Sequence, residues 1–135
     1  MLGKEDTIQL AYANARQGFL CSESVLLALS KCLNISSDLI PRIATGFGAG
    51  IGRAGEVCGA ISGAVMGLGL FFGRMEVNKE SQQKPYWFAS ELMKRFSSNF
   101  GQVQCKKLLS LDLTSEEAVE ALQRIKQLAG HWNGD

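Results

Sequence analysis

The stretch that decides the fold is residues 46–73, GFGAGIGRAGEVCGAISGAVMGLGLFFG. Its first part places glycine at positions 46, 48, 50, 52 and 55, which is too much glycine for a stable helix or strand and predicts a shaped loop. After Cys58, the residues Gly59, Gly63 and Gly67 fall four apart, so one face of the following helix carries almost no side chain. Because another backbone can approach that face closely, we expect the helix from about 56 to 72 to be central and to touch at least two other helices.

The segments on either side show helical rather than strand periodicity. Apolar residues recur at three- and four-residue spacing over residues 5–17, 21–33, 79–99 and 114–129, with shorter helical elements expected over 38–45 and around 103–109. No segment alternates apolar and polar residues with a period of two. The sequence therefore predicts an all-α fold, a single compact bundle of five or six helices around the central glycine-rich helix. Residues 1–135 are expected to form one domain.

Composition and charge narrow the function classes. Hydrophobic residues make up 46% and charged residues 20%, as in ordinary globular proteins. Fourteen Lys and Arg against 13 Asp and Glu give a net charge of +1, so no basic face is expected to bind nucleic acid. A single histidine, His131, leaves almost no material for a Ser-His-Asp triad or a multi-histidine metal site. Any chemistry is expected to depend on sulfur.

The chain shows no targeting or membrane-spanning signal. Its start is charged at once and lacks an apolar signal-peptide segment, which predicts a cytoplasmic protein. The longest uncharged run, residues 57–73, is short and rich in Gly and Ala, so we expect a buried helix and no stable membrane insertion. In a reducing compartment, cysteines are expected as thiols, metal ligands or redox groups rather than as permanent cross-links.

Three of the four cysteines are candidate site residues. Cys58 is expected in the first turn of the glycine-rich helix, where the helix dipole and free amides should lower its pKa. Cys21 opens a predicted helix in the same way, and Cys105 precedes two lysines whose charges would lower its pKa if they lie close. Cys32 lies 11 residues after Cys21 on the same helix, which is about 16 Å along the axis, and its apolar neighbours favour simple packing.

Several chemistries fit these three thiols. Cys58, Cys21 and Cys105 are the predicted catalytic residues, and the same three are the predicted metal ligands. No C-x-x-C pair occurs, so a disulfide relay, a metal site, or an iron–sulfur site completed by another chain all stay open.

The glycine loop is a second candidate site. Residues 50–55, GIGRAG, match the dinucleotide-binding fingerprint, but no strand precedes them and no βαβ unit surrounds them. A looser hypothesis is that glycine amides at a helix start hold an anion and that an arginine adds charge. The predicted cofactor-binding residues are Gly50, Gly52, Arg53, Gly55 and Gly59.

The cysteine elements together resemble a known family. Residues 58–63 form a CGAxxG motif, and the chain resembles the C_GCAxxG_C_C proteins, named for their cysteine pattern. Residues 18–21 with Ser24 and Val25 are similar to that family's first cysteine element, residues 46–52 to its glycine loop, and residues 101–105 with Leu108 and Asp112 to its third cysteine element. The resemblance implies a redox role and a fourth cysteine near the C-terminal helix, yet residues 106–135 contain none. It therefore carries over only Cys21, Cys58 and Cys105, which favours a dithiol over a four-cysteine cluster.

Two functions follow as hypotheses. The first is a redox protein, either a thiol-based oxidoreductase or an electron carrier, in which Cys58 is the attacking or metal-binding thiolate and Cys21 or Cys105 resolves or shares the ligand. A metal ion or an iron–sulfur cluster is the cofactor this hypothesis allows, and its redox partner is unidentified. The alternative is a non-enzymatic module that binds a small ligand or a metal, in which the glycine loop and small-residue helix form a pocket or a homodimer face and the cysteines are structural.

Overall fold

The computed structural model describes residues 2–109, and this part of the chain is all-α, as predicted. The helical elements are α1 (Lys4–Arg16), α2 (Cys21–Cys32), the single turn α3 (Gly48–Ile51), α4 (Gly59–Phe72), α5 (Lys79–Phe100) and α6 (Cys105–Leu109), and a 3-10 helix spans Arg42–Phe47. Unlike the other helices, α3 has a left-handed backbone at Ala49 and Gly50. Within the described residues, the only β pairing is an isolated antiparallel bridge between Val57 and Gln104. The predicted helix over 114–129 and His131 lie outside the described residues.

The glycine-rich helix α4 lies at the centre, which confirms the prediction from its small-residue face. It packs along α2 and also contacts α5 and the 3-10 helix. A Cβ atom at Gly63 would lie 2.5 Å from the carbonyl oxygen of Ser22, and one at Gly67 would run into the Leu29 side chain. These glycines therefore allow the backbone of α4 to approach α2 more closely than any other residue would permit.

Helix α2 meets the glycine face of α4 through Ser22 and Val25 at Gly63 and through Leu29 at Gly67. Ser22, Ser24 and Ser30 are buried together with Leu26 and Ala28. The Ser22 hydroxyl donates a hydrogen bond to the Ala44 carbonyl at 2.8 Å. Because a buried hydroxyl costs free energy unless it is paired, this bond allows a small serine to sit at the close approach of the helices.

The segment before the glycine loop is a turn followed by a 3-10 helix, not the helix expected over 38–45. The Ser37 hydroxyl accepts the Leu39 amide at 3.1 Å, which favours a turn at this point. Pro41 then has no amide hydrogen to donate to a helical ladder. The regular structure consequently begins only at Arg42.

The glycine loop contains a left-handed turn. Five consecutive residues, 49–53, have φ between 52° and 69°, and three of them are not glycine: Ala49, Ile51 and Arg53. Each non-glycine residue in this region costs on the order of 1–3 kcal/mol, so the surrounding contacts must hold the turn in place. The Glu56 amide bonds the Gly50 carbonyl at 3.0 Å, and a Cβ at Gly50 would lie 2.5 Å from that same amide nitrogen.

Helix α4 starts at Gly59, three residues later than expected. Residues 56–58 are instead extended and pair with residues 103–105. The Cys58 amide donates to the Val103 carbonyl at 2.8 Å, and the Cys105 amide donates to the Glu56 carbonyl at 2.7 Å. This pairing between distant parts of the chain ties α6 to the start of α4. No helix within residues 2–109 is both long enough and apolar enough to cross a membrane.

Candidate functional site

The starts of α2 and α4 meet at Gly59. A Cβ atom at Gly59 would collide with the sulfur of Cys21, and it would lie 3.1 Å from the Ser22 amide nitrogen and 3.2 Å from the Phe47 carbonyl oxygen. Cys21 is the first residue of α2, and Cys58 is the N-cap residue of α4. The Cys21 sulfur therefore rests on the residue that directly follows Cys58, and the glycine provides the space.

Cys58 is held by the first turn of its helix. Its sulfur accepts hydrogen bonds from the backbone amides of Ala60 and Ile61, and the residue is partly buried. Cys105 is buried and is brought to the same place by the extended pairing of residues 56–58 with 103–105. The Cys21 residue is exposed. The arrangement thus combines one accessible thiol with two thiols that are more protected.

Burial controls the acidity of the protected thiols. Desolvation raises the pKa of Cys58, the two amide hydrogen bonds oppose this, and the negative charge of a Cys21 thiolate adds to the rise. Desolvation raises the pKa of Cys105 to about 11, with further contributions from Cys58 and Cys21. A charge at Cys21 therefore acts on both Cys58 and Cys105, and a charge at Cys58 acts on Cys105. These three residues are named here the thiol cluster.

The expectation of a lowered pKa at Cys58 is wrong. The helix start does supply amide donors to its sulfur, but the loss of hydration outweighs them. The expected lysine effect at Cys105 is also absent, because its pKa is raised and the Lys106 amine lies 3.6 Å from a Glu56 carboxylate oxygen. Arg53 lies exposed on the left-handed turn, and it is not among the groups that change the pKa of Cys58.

Cys32 lies apart from the thiol cluster, at the other end of α2. Its sulfur is 3.4 Å from the Leu2 carbonyl oxygen. It also lines an apolar cavity of about 600 Å³ between α2, α4 and α5, together with Leu29, Phe72 and Trp87. This position fits the packing role expected from its apolar neighbours.

The loop amides are already used within the loop. The Gly52 amide donates to the Gly46 carbonyl at 3.0 Å, and the Gly55 amide donates to the Ala49 carbonyl at 3.3 Å. These two amides are therefore not available to an anion, and an anion site at Gly50, Gly52, Arg53 and Gly55 stays a prediction. Gly59, the fifth predicted residue, instead accommodates the Cys21 sulfur.

No metal site is formed by the described side chains. Among residues 2–109, no group of three or more His, Cys, Asp or Glu residues is arranged to hold a metal ion. Metal ligation by Cys21, Cys58 and Cys105 stays a prediction.

The described part of the chain is thus all-α and places Cys21 and Cys58 at the starts of two helices. Residues 19–129 match the model of the family described as "Putative redox-active protein (C_GCAxxG_C_C)", and the chain belongs to this family. It is also 30% identical over 106 residues to an uncharacterized protein of Archaeoglobus fulgidus, an alignment that covers 72% of this chain and 70% of that protein. No solved structure matches the chain. The resemblance seen in the CGAxxG motif is thereby confirmed.

Proposed function

We propose that the protein is a thiol–disulfide exchange protein whose redox pair is Cys21 and Cys58. The observation that carries this proposal is the placement of the Cys21 sulfur against Gly59, the residue next to Cys58. A disulfide requires Cα atoms within about 7 Å of each other, and a glycine at the contact permits such an approach between two helix starts.

The exposure of the two residues supports an order of reaction opposite to the one expected from the sequence, in which Cys58 was the attacking thiolate. Cys21 is exposed, so its thiolate attacks one sulfur of a partner disulfide, forms a mixed disulfide, and releases the first partner thiolate. Cys58 then loses its proton to water and attacks the Cys21 sulfur. This closes the Cys21–Cys58 disulfide and releases the second partner thiolate. Two electrons and two protons pass from the cysteine pair to the partner disulfide, which becomes two thiols.

The raised pKa of Cys58 suits the second step rather than the first. At neutral pH Cys58 is a protonated thiol, which limits its reaction with molecules in solution. The amides of Ala60 and Ile61 donate to its sulfur, so they stabilise the negative charge that develops as the proton leaves.

A stoichiometric reaction with 5,5′-dithiobis(2-nitrobenzoate) tests the pair. In the reduced protein, each reagent molecule that reacts at Cys21 should release two thionitrobenzoate ions. No thionitrobenzoate should then stay bound to Cys21. Cys58→Ser should release one ion and keep the other as a mixed disulfide on Cys21, identified by peptide mass. Cys32→Ser is the matched control and should behave like the unchanged protein. Thionitrobenzoate that stays on Cys21 in the unchanged protein would refute the pair. If the mixed disulfide on Cys21 persists in Cys105→Ser but not in Cys58→Ser, the second step belongs to Cys105.

The apolar cavity favours a second candidate, the non-enzymatic binding module. A volume of about 600 Å³ lies in the range of small-molecule sites, and Leu29, Leu68, Phe72 and Trp87 line it with apolar surface. An apolar fluorescent dye that binds the protein lacking all four cysteines as well as it binds the unchanged protein would support this function. The absence of dye binding would remove it.

A further inference from the structure

Within residues 2–109, the backbone N–H and C=O groups of Val57 have no hydrogen-bond partner. Val57 forms an isolated bridge with Gln104, and the two hydrogen bonds of this bridge are made by the residues on either side of the pair. In an antiparallel pairing of this kind, the N–H and C=O groups of the two central residues point away from each other. The Gln104 carbonyl accepts two amides of α6. The outward-pointing groups of Val57 are left open and are named here the open edge.

The open edge lies on an accessible segment. Glu56 is exposed, and Val57 and Cys58 are partly exposed. Backbone N–H and C=O groups are strong hydrogen-bonding groups, and an extended segment that leaves them unpaired is a template for one more strand. The two groups also carry partial charges of opposite sign in a fixed order, which another extended backbone matches directly.

The open edge is one residue away from the proposed redox pair. Side chains alternate between the two faces of an extended pairing, so Cys58 and Cys105 share one face and Val57 lies on the other. The Cys21 sulfur lies against Gly59, the residue directly after Cys58. A strand added at the open edge would therefore present its side chains alternately to Val57 and to the face that carries the thiols.

We infer that the disulfide that reacts with Cys21 belongs to a polypeptide whose cysteine lies in an extended segment, and that this segment adds as an antiparallel strand at the open edge. This inference rests on the proposed exchange function and adds the class of its substrate. In an antiparallel pair, one partner residue accepts the Val57 N–H and donates its own N–H to the Val57 carbonyl. The partner residue before it lies opposite Cys58, so a cysteine at that position places its sulfur on the face of the thiols.

Docking of this kind orients the first step of the exchange. The Cys21 thiolate forms a bond to the sulfur of the docked cysteine, and the bond from that sulfur to its former partner breaks, with the electron pair leaving on the former partner. Cys58 then attacks the Cys21 sulfur and releases the docked cysteine as a thiolate. An aromatic disulfide such as 5,5′-dithiobis(2-nitrobenzoate) has no N–H to donate to the Val57 carbonyl, so it reacts without the docking step.

Two isomeric peptides test the docking. Each carries one cysteine as a mixed disulfide with thionitrobenzoate, among valine and threonine residues, and each has a single backbone N-methyl group. In the first peptide the methyl group is on the residue directly after the cysteine and removes the N–H that pairs with the Val57 carbonyl. In the second it is on the next residue, whose N–H points away from the open edge. Thionitrobenzoate release by the reduced protein should be about two- to ten-fold slower with the first peptide, as expected for the loss of one hydrogen bond.

Two variants at Val57 separate the backbone from the side chain. Val57→Pro removes the N–H of the open edge and breaks no hydrogen bond seen among the described residues. It should bring the rates for the two peptides close to each other, because proline on an edge blocks strand addition. Val57→Ala keeps both backbone groups and should keep the difference between the peptides. A difference that persists in Val57→Pro would overturn the inference, and the comparison of the two peptides on the unchanged protein stands even if this variant fails to fold.

The reaction with 5,5′-dithiobis(2-nitrobenzoate) separates failure of docking from failure of the redox pair. If this small reagent still yields the Cys21–Cys58 disulfide while the two peptides react equally fast, or the second reacts more slowly, the docking inference is overturned and the proposed function stands. A reduced protein that sediments as a dimer, and that Val57→Pro converts to a monomer, would also overturn it by assigning the open edge to a second copy of the chain.

Discussion

Replacing Gly63 with alanine adds one methyl group where α4 comes closest to α2. The new Cβ would lie 2.5 Å from the Ser22 carbonyl oxygen and 3.2 Å from both the Ser22 carbonyl carbon and the Val25 Cβ. Two of these atoms belong to the backbone and cannot rotate away, so the helices must separate. Overpacking of this kind costs about 1–3 kcal/mol.

Helix propensity opposes this cost and calls for a matched control. Alanine is more favourable than glycine in a helix interior by about 1 kcal/mol, which offsets part of the overpacking. Gly69 lies in the same helix, is exposed, and has no neighbouring atom within 4 Å of an added Cβ. Gly69→Ala should therefore gain the propensity without the clash, and the two variants should differ by about 1–3 kcal/mol in the free energy of unfolding.

Urea unfolding under reducing conditions, followed by circular dichroism at the helical band, measures this difference. Gly69→Ala should be the more stable variant, with a higher urea midpoint and an unchanged slope. Equal midpoints for Gly63→Ala and Gly69→Ala would show that α4 does not pack against the backbone of α2, and the reasoning from the glycine face would fail.

Three further results are expected. Ser22→Ala should lower the free energy of unfolding by about 1–3 kcal/mol in urea, because the buried Ala44 carbonyl loses its hydrogen bond; an unchanged midpoint would contradict this. The pKa of Cys105 is raised from 9.0 to about 11, so the folded state holds its proton more tightly and stability should fall as the pH rises from 9 to 11. In Cys105→Ala the free energy of unfolding should fall less between pH 9 and 11 than in the unchanged protein. Equal falls in the two proteins would contradict the raised pKa of Cys105. Gly59→Ala should displace the Cys21 sulfur and slow the release of the second thionitrobenzoate ion, and a rate equal to that of the unchanged protein would exclude the contact.

Local sequence patterns were sufficient to predict much of the fold. The periodic apolar residues gave helices close to the observed α1, α2 and α5, and Gly101 ends α5 in a left-handed conformation with a φ of 79°, as its stop signal indicated. The spacing of Gly59, Gly63 and Gly67 predicted the central helix, because a face without side chains is useful only against another backbone.

The remaining features depend on contacts between distant residues. The start of α4 shifted to Gly59 because residues 56–58 pair with 103–105, and neither segment alone carries a strand pattern. The same pairing brings Cys105 to Cys58. The direction of the Cys58 pKa shift was missed because a helix start is visible in the sequence, whereas the burial that outweighs it arises only from packing.

The most direct test of the Cys21–Cys58 pair is disulfide mapping of the protein equilibrated across a series of reduced and oxidised glutathione ratios. We expect a single two-electron transition in which a disulfide between Cys21 and Cys58 forms while Cys32 stays reduced at every ratio. Metal and sulfide analysis of anaerobically purified protein should accompany it, to establish that the thiols are free to react. A first disulfide that includes Cys32, or bound metal that keeps Cys21 and Cys58 from pairing, would contradict the account.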